Sequence, residues 1–231
     1  MTEDAAACRR VLSFDVGLKH LAYADLRVVE GTATVASIER WGVIDATAGL
    51  SHKQQRSAEA LTAAVVEALD AEFFDPASAR YDVVLVENQP SRKNPAMKSV
   101  QVAIVAYFAT IRAHVPDCVG EVRLISASRK LAADSAEGEG VAEGGGEGGV
   151  DTVKTAAQAY RARKARSVEL CRRAFEAPDG RLSSAAGAAE ASATLKAAKK
   201  KDDLADAMLQ ALAYLDAGSG TKKRTTTKKK T

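Results

Sequence analysis

RVLSFDVGLKHL, residues 10–21, reads as an apolar strand built on Val11, Leu12, Phe14 and Val16, interrupted by one carboxylate, Asp15, and closed by Gly17. A carboxylate in so apolar a strand loses several kcal/mol of hydration unless something pairs with it, and a cation is the simplest partner. Gly17 lets the chain turn sharply with its backbone close to whatever Asp15 binds. Lys19 adds a positive charge at the exit. Taken alone, an Asp-x-Gly turn has an ordinary structural explanation. It gains meaning if other isolated carboxylates end other buried elements, because a metal site is assembled from distant parts of a chain.

The chain has 231 residues and is 46% hydrophobic, enough for one core and too little for two large ones. No run approaches the roughly 18 apolar residues that cross a bilayer. The first residues carry neither a basic-then-apolar signal nor an acid-poor presequence, so a soluble, intracellular protein is expected. Cys8, Cys118 and Cys171 are too far apart for a zinc site or a disulfide framework. The formal charge of +3 is unevenly spread, with acids across residues 134–151 and basic residues across 154–173, 196–201 and the tail. Such asymmetry points to an anionic partner.

Residues 21–29 and 32–44, around a Glu30-Gly31 turn, continue the first strand into a three-stranded antiparallel meander. Trp41 is expected to pack at the sheet edge, and His20 and His52 have no evident partners. Residues 53–74 show helical spacing with Leu61, Val65, Val66 and Leu69 on one side. YDVVLVE, residues 81–87, is a continuous apolar run of the kind that is covered on both faces, and it ends in Glu87. A basic loop at 91–98 leads into a helix with Val102, Val105, Phe108, Ala109 and Ile111 as apolar positions and His114 near its end. Residues 121–126 form a further strand. Residues 134–151 are Gly and Glu rich and read as a disordered insertion rather than a phosphate loop. Residues 154–175 regain helical character with a dense basic face, and 177–193 read as a small-residue linker. Residues 199–215, KKKDDLADAMLQALAYL, form a last helix, with Leu204, Met208, Leu212 and Leu215 on its apolar face. The expected organisation is one domain over residues 1–217 followed by a flexible basic tail, 218–231.

Asp15 and Glu87 thus end two strands, while Asp203 and Asp206, with Asp202 as a possible fifth acid, open the last helix within about a hundred degrees of one another. Capping with Asp203 as N-cap and Asp206 at N3 would explain one or two of these acids, but poorly explains three. Converging carboxylates repel unless cations neutralise them. Oxygen-only donors favour magnesium or manganese over zinc. Two such ions about 4 Å apart form a clamp for in-line displacement at phosphorus, which makes phosphodiester hydrolysis the expected reaction.

The order DVGLKH after a first strand, VEN at the end of a later one and KKKDDLADAMLQALAYL in a final helix resembles the RuvC-like Holliday junction resolvases of the ribonuclease-H-like superfamily. It looks most similar to the poxvirus, large-DNA-virus and fungal mitochondrial branch. Lys199, Lys200, Asp202, Asp203 and Asp206 carry its most specific motif, and YRARKARSVEL is similar to that branch's basic helix. The resemblance implies an α/β, ribonuclease-H-like fold with a mixed five-stranded sheet, antiparallel meander then parallel strands, flanked by helices. It further implies an active site of Asp15, Glu87, Asp203 and Asp206 holding two Mg2+ or Mn2+ ions, with Asp202 uncertain. It implies a homodimer that nicks a four-way DNA junction symmetrically, and, for a viral protein, the host cytoplasm or nucleus as its setting. Lys19, Arg92, Lys93, Lys154, Arg163, Lys164 and Lys200 are the candidate phosphate contacts. His20 departs from the family, which often has Asn there.

Three other readings remain open at this stage: a related nuclease acting on structured RNA or DNA flaps, a junction-binding protein without catalysis, and an actin-like ATPase. The last requires a second phosphate loop after a strand, whereas Asp216-Ala217-Gly218 follows a helix.

Overall fold

The computed structural model describes residues 7–75, 80–90, 94–126 and 156–219. The first strand pairs with the chain that follows it. β1 (Cys8–Asp15) and β2 (Leu21–Val29) run antiparallel, Cys8 opposite Val29 and Asp15 opposite Ala22, and β3 (Val35–Ile44) adds the third strand of the meander. Gly31, at a φ of 74°, makes the turn that the Glu30-Gly31 pair predicted. After α1 (Ala58–Phe73) the chain re-enters the sheet as β4 (Tyr81–Glu87), parallel to β1, and α2 (Pro95–His114) leads to β5 (Val119–Ile125), parallel to β4. The order is β3-β2-β1-β4-β5, a mixed sheet with β1 at its centre.

Three further helices follow: α3 (Ala156–Glu176), α4 (Ala188–Ala197) and α5 (Lys201–Ser219). Strand alternation divides the core in two. Leu12, Phe14, Val84 and Val86 face α1 and α2, where Phe14 meets Phe73 edge to face and Phe108 at a tilt. Val11, Val83, Leu85, Ala22 and Ala24 face the other way, against α3, α4 and α5. The alanines keep β2 low beneath α5, whose Ala205, Ala207, Met208 and Ala211 are fully buried.

Several expectations need correction. β3 starts at Val35 rather than 32, β5 starts two residues earlier than read, and α5 runs on to Ser219. Val66, Val102 and Ala109 are exposed, because the inward faces of α1 and α2 are those of Leu61, Val65, Leu69 and Phe73 and of Val100, Ala103, Ile104, Tyr107 and Phe108. The supposed linker at 177–193 is structured: Leu182 is fully buried, Ala186 exchanges backbone hydrogen bonds with Ala36 and Ile38, and α4 begins at Ala188. Its alanine-rich composition hid a segment that packs through small residues. Trp41 packs as expected, its ring against Phe175 and its Nε1 donating to the Leu204 carbonyl at 3.0 Å. The insertion at 134–151 and the tail beyond 219 lie outside the described residues.

Asp25, fully buried on β2, faces the α1 side and accepts from Arg10 Nε and Nη2 at 2.8 and 2.7 Å and from Arg40 Nη2 at 3.1 Å. Arg40 also donates to Tyr81 and to the Glu72 carbonyl. A buried charge stripped of its partners is strongly destabilising. Replacing Asp25 by Ala removes the buried carboxylate that two partly buried arginines share, and urea denaturation is expected to register a loss of about 3 kcal/mol.

Candidate active site

β1 and β4 pair in register up to Phe14 opposite Val86, so the next residue of each strand, Asp15 and Glu87, comes level at the carboxyl end of the sheet. Both share the face of Val11 and Leu85, the face covered by α5. Asp15 is 8% and Glu87 9% exposed. The turn leaving Asp15 is tight. A Cβ on Gly17 would lie 2.4 Å from the His20 carbonyl oxygen, so glycine is required there by close approach.

Beyond β4 the chain is fastened to α2. Gln89 Nε2 donates to Glu87 Oε2 at 2.7 Å, while Gln101 Oε1 accepts from the Gln89 backbone N–H at 2.7 Å and from Lys98 Nζ at 3.0 Å. Glu87 is thereby held in one orientation by an amide that is itself buried.

α5 brings the remaining acids. Gln210, fully buried, donates from Nε2 to Ser13 Oγ and to the Phe14 carbonyl, both at 3.1 Å. Asp206 and Asp203 lie one and two turns earlier on the same stripe of the helix. Because α5 starts at Lys201, Asp203 is inside its first turn and Asp206 is in its second, so neither is the cap that the sequence allowed. Asp15, Glu87, Asp203 and Asp206 line a single cleft of about 510 Å³.

Basic side chains rim the same cleft: Lys19 after β1, Arg163 and Lys164 from α3, and Lys200 before α5. Arg92, Lys93 and Lys154 lie outside the described residues. Arg172, farther along α3, is ion-paired with Glu169 and Glu176 on its own helix and stands apart from the cleft. His20 lines the cleft, as do Gln89, Tyr160 and Ser167, three residues that the sequence did not single out. Gln89 carries no spacing signal, whereas Tyr160 and Ser167 share a helical stripe with the candidate Lys164, a signal that marks a face of α3 but not what that face covers.

Lys164 chooses between two adjacent acids. Burial is the strongest single influence on Asp202 and raises its pKa, but the hydrogen bond and charge of Lys164, together with hydrogen bonds from the backbone and from Asp203, outweigh it and hold the group below the ordinary aspartate range. Asp203 is pushed the other way, by burial first and then by the charge of Asp202. Asp202 is not among the residues lining the cleft. Among the described residues, no three of His, Cys, Asp and Glu stand close enough together to hold a metal ion. The four acids suit a hard cation in donor type and in facing one cleft, while their oxygens are not gathered around a common point.

No family model matches the chain, and no curated protein matches it. Among solved structures it is similar to the yeast mitochondrial Holliday junction resolvase Ydc2, with a TM-score of 0.58 and 18% identity over 94% of this chain and 83% of that one. The Holliday junction resolvase of fowlpox virus matches with a TM-score of 0.50 and 18% identity, over 90% of this chain and 98% of that one. The fold is that of the RuvC-like resolvases. It is the ribonuclease-H-like arrangement expected from the sequence: an antiparallel meander extended by parallel strands and covered by helices. No helix among the described residues is long and apolar enough to cross a membrane.

The raised pKa of Asp203 has a thermodynamic sign. The folded protein holds this proton more tightly than the unfolded chain, so stability contributed by the group is complete below the unfolded carboxylate pKa and is lost as pH rises through the folded one. In chelator at neutral pH, Asp203→Asn is therefore expected to have a higher Tm than the parent protein. That advantage should shrink as pH falls below the carboxylate range, as calorimetry across a pH series would record.

Proposed function

We propose that this chain is a divalent-metal-dependent endonuclease that resolves four-way DNA junctions. The observation that carries the reading is the convergence of four carboxylates from β1, β4 and α5 on one cleft whose rim is basic. Acids alone would repel a phosphodiester, and basic residues alone would only bind it. Together they suit an anionic substrate whose scissile phosphate is met by hard cations. The likeness in fold to two proteins named as Holliday junction resolvases supports the substrate class.

Asp15, Glu87, Asp203 and Asp206 would hold magnesium or manganese, since carboxylate oxygens without His or Cys favour such ions. Bound in a pair, these ions supply an activated water and charge on the leaving oxygen. The protein's own part is positional. Gln89 fixes the orientation of Glu87, and Gln210 fixes the register of the helix that carries Asp203 and Asp206. Lys164 engages Asp202 and so keeps that carboxylate out of the cleft. Lys19, Arg163 and Lys200, which line the cleft, would take phosphates on either side of the reacting one. Their contribution is blind to sequence, so junction choice rests on shape and binding weakens steeply with salt. Two copies related by a two-fold axis would present two such clefts to a substrate of matching symmetry.

The test is a labelled synthetic four-way junction incubated with the full chain, in magnesium or in chelator. Paired nicks near the branch point are expected only with the metal. Asp15→Asn, Glu87→Gln and Asp206→Asn should each lower cleavage on the order of 10³-fold or more while junction affinity in chelator stays near that of the parent. Binding lost together with cleavage would count against the assignment of the acids. A preference for flaps or structured RNA would replace the junction as substrate.

A further inference from the structure

Tyr160 is 51% exposed and lines the acid-floored cleft. Its place on α3 follows from helical spacing: residues 160, 164, 167, 171 and 175 share one stripe. At the far end of that stripe Phe175 and Cys171 are buried in the core, and Ser167 is buried at the cleft wall. Toward the N-terminus the same inward-facing stripe emerges over the cleft, where Lys164 and then Tyr160 occupy it. An aromatic ring on the inner face of a helix normally finds apolar cover. Here two cations flank it instead: Lys164 Nζ lies 5.0 Å and Arg163 Cζ 5.9 Å from the ring centroid. A flat ring beside cationic side chains, at the mouth of a cleft, suits a ligand that joins a planar aromatic group to an anionic one.

On this basis, and resting on the nuclease reading above, we infer that Tyr160 stacks on an unpaired DNA base beside the phosphate held in the cleft. In continuous duplex both faces of every base are already stacked, so the ring has nothing to cover. At a branch point a base can turn out at lower cost, and its free face can be taken by an aromatic side chain. Tyr160 is thus a selectivity residue: it favours branched over linear DNA, whereas Lys19, Arg163 and Lys200 favour any phosphate backbone.

The experiment is a cycle between protein and substrate, with affinities measured in chelator on the full-length protein. Four-way junctions carry either normal nucleotides or abasic sites at the branch point, and Tyr160→Ala, Tyr160→Leu and Tyr160→Phe are compared with the parent. Base stacking is lost on alanine substitution at a cost of about tenfold in affinity, within the range for such contacts. The parent should lose about tenfold on the abasic junction, Tyr160→Ala and Tyr160→Leu should lose almost nothing further, and Tyr160→Phe should behave as the parent. Circular dichroism checks that each variant is folded, and the leucine variant keeps helix propensity without a stacking face. If the ring only steadies Lys164, Tyr160→Ala weakens intact junction, abasic junction and duplex alike, which overturns this inference and leaves the nuclease reading standing. A parent protein that binds junction no better than duplex overturns both.

Discussion

The amide of Gln210, buried between α5 and β1, is the contact on which the cleft depends. It ties α5 to the Ser13 hydroxyl and the Phe14 carbonyl, immediately before Asp15. A helix lying on a sheet through alanines and leucines could slide by a turn at modest cost, since apolar contact is non-directional. A buried side-chain amide cannot, because a shift would leave its donors unpaired. Trp41 adds a second directional tie at the other end of the helix, through the Leu204 carbonyl. Asp206 lies between these two fastenings and Asp203 immediately before Leu204, on the cleft that Asp15 and Glu87 also line.

Electrostatics divides the sheet as clearly as packing does. Asp15 and Asp25 are both lone carboxylates in apolar strands and would be equal candidates by that criterion. Strand alternation sends them to opposite faces. Asp25 meets two arginines and is spent on the fold. Asp15 emerges beside Glu87 at a cleft. The same division of labour recurs within three residues of α5, where Lys164 engages Asp202 while Asp203 stays on the cleft wall with its pKa raised. A basic helix over an acidic floor therefore sorts the acids beneath it.

What could be read from residues alone was whatever follows from local periodicity. The meander, the buried strand ending at Glu87, the apolar face of the last helix and the candidate acids were legible because each is written in a spacing of two or of three to four residues. The stretch at 177–193 was misread because burial there comes from backbone hydrogen bonds and alanines, which carry no hydropathy signal. Val66 and Val102 were assigned inward for the opposite reason: an apolar side chain was taken as a buried one, though isolated apolar residues on a surface are common.

The sequence by itself thus determined most of the elements, the antiparallel meander that opens the sheet, and a short set of candidate acids. Only the tertiary structure decided which of those acids meet, that Lys164 sets Asp202 apart from Asp203, and that Gln89, Ser167 and Tyr160 belong to the same cleft. The physical reason is range. Periodicity reports the side of an element on which a residue lies, over a few neighbours, whereas a site joins residues nearly two hundred positions apart through the register of strands and the seating of a helix, and no local pattern encodes either.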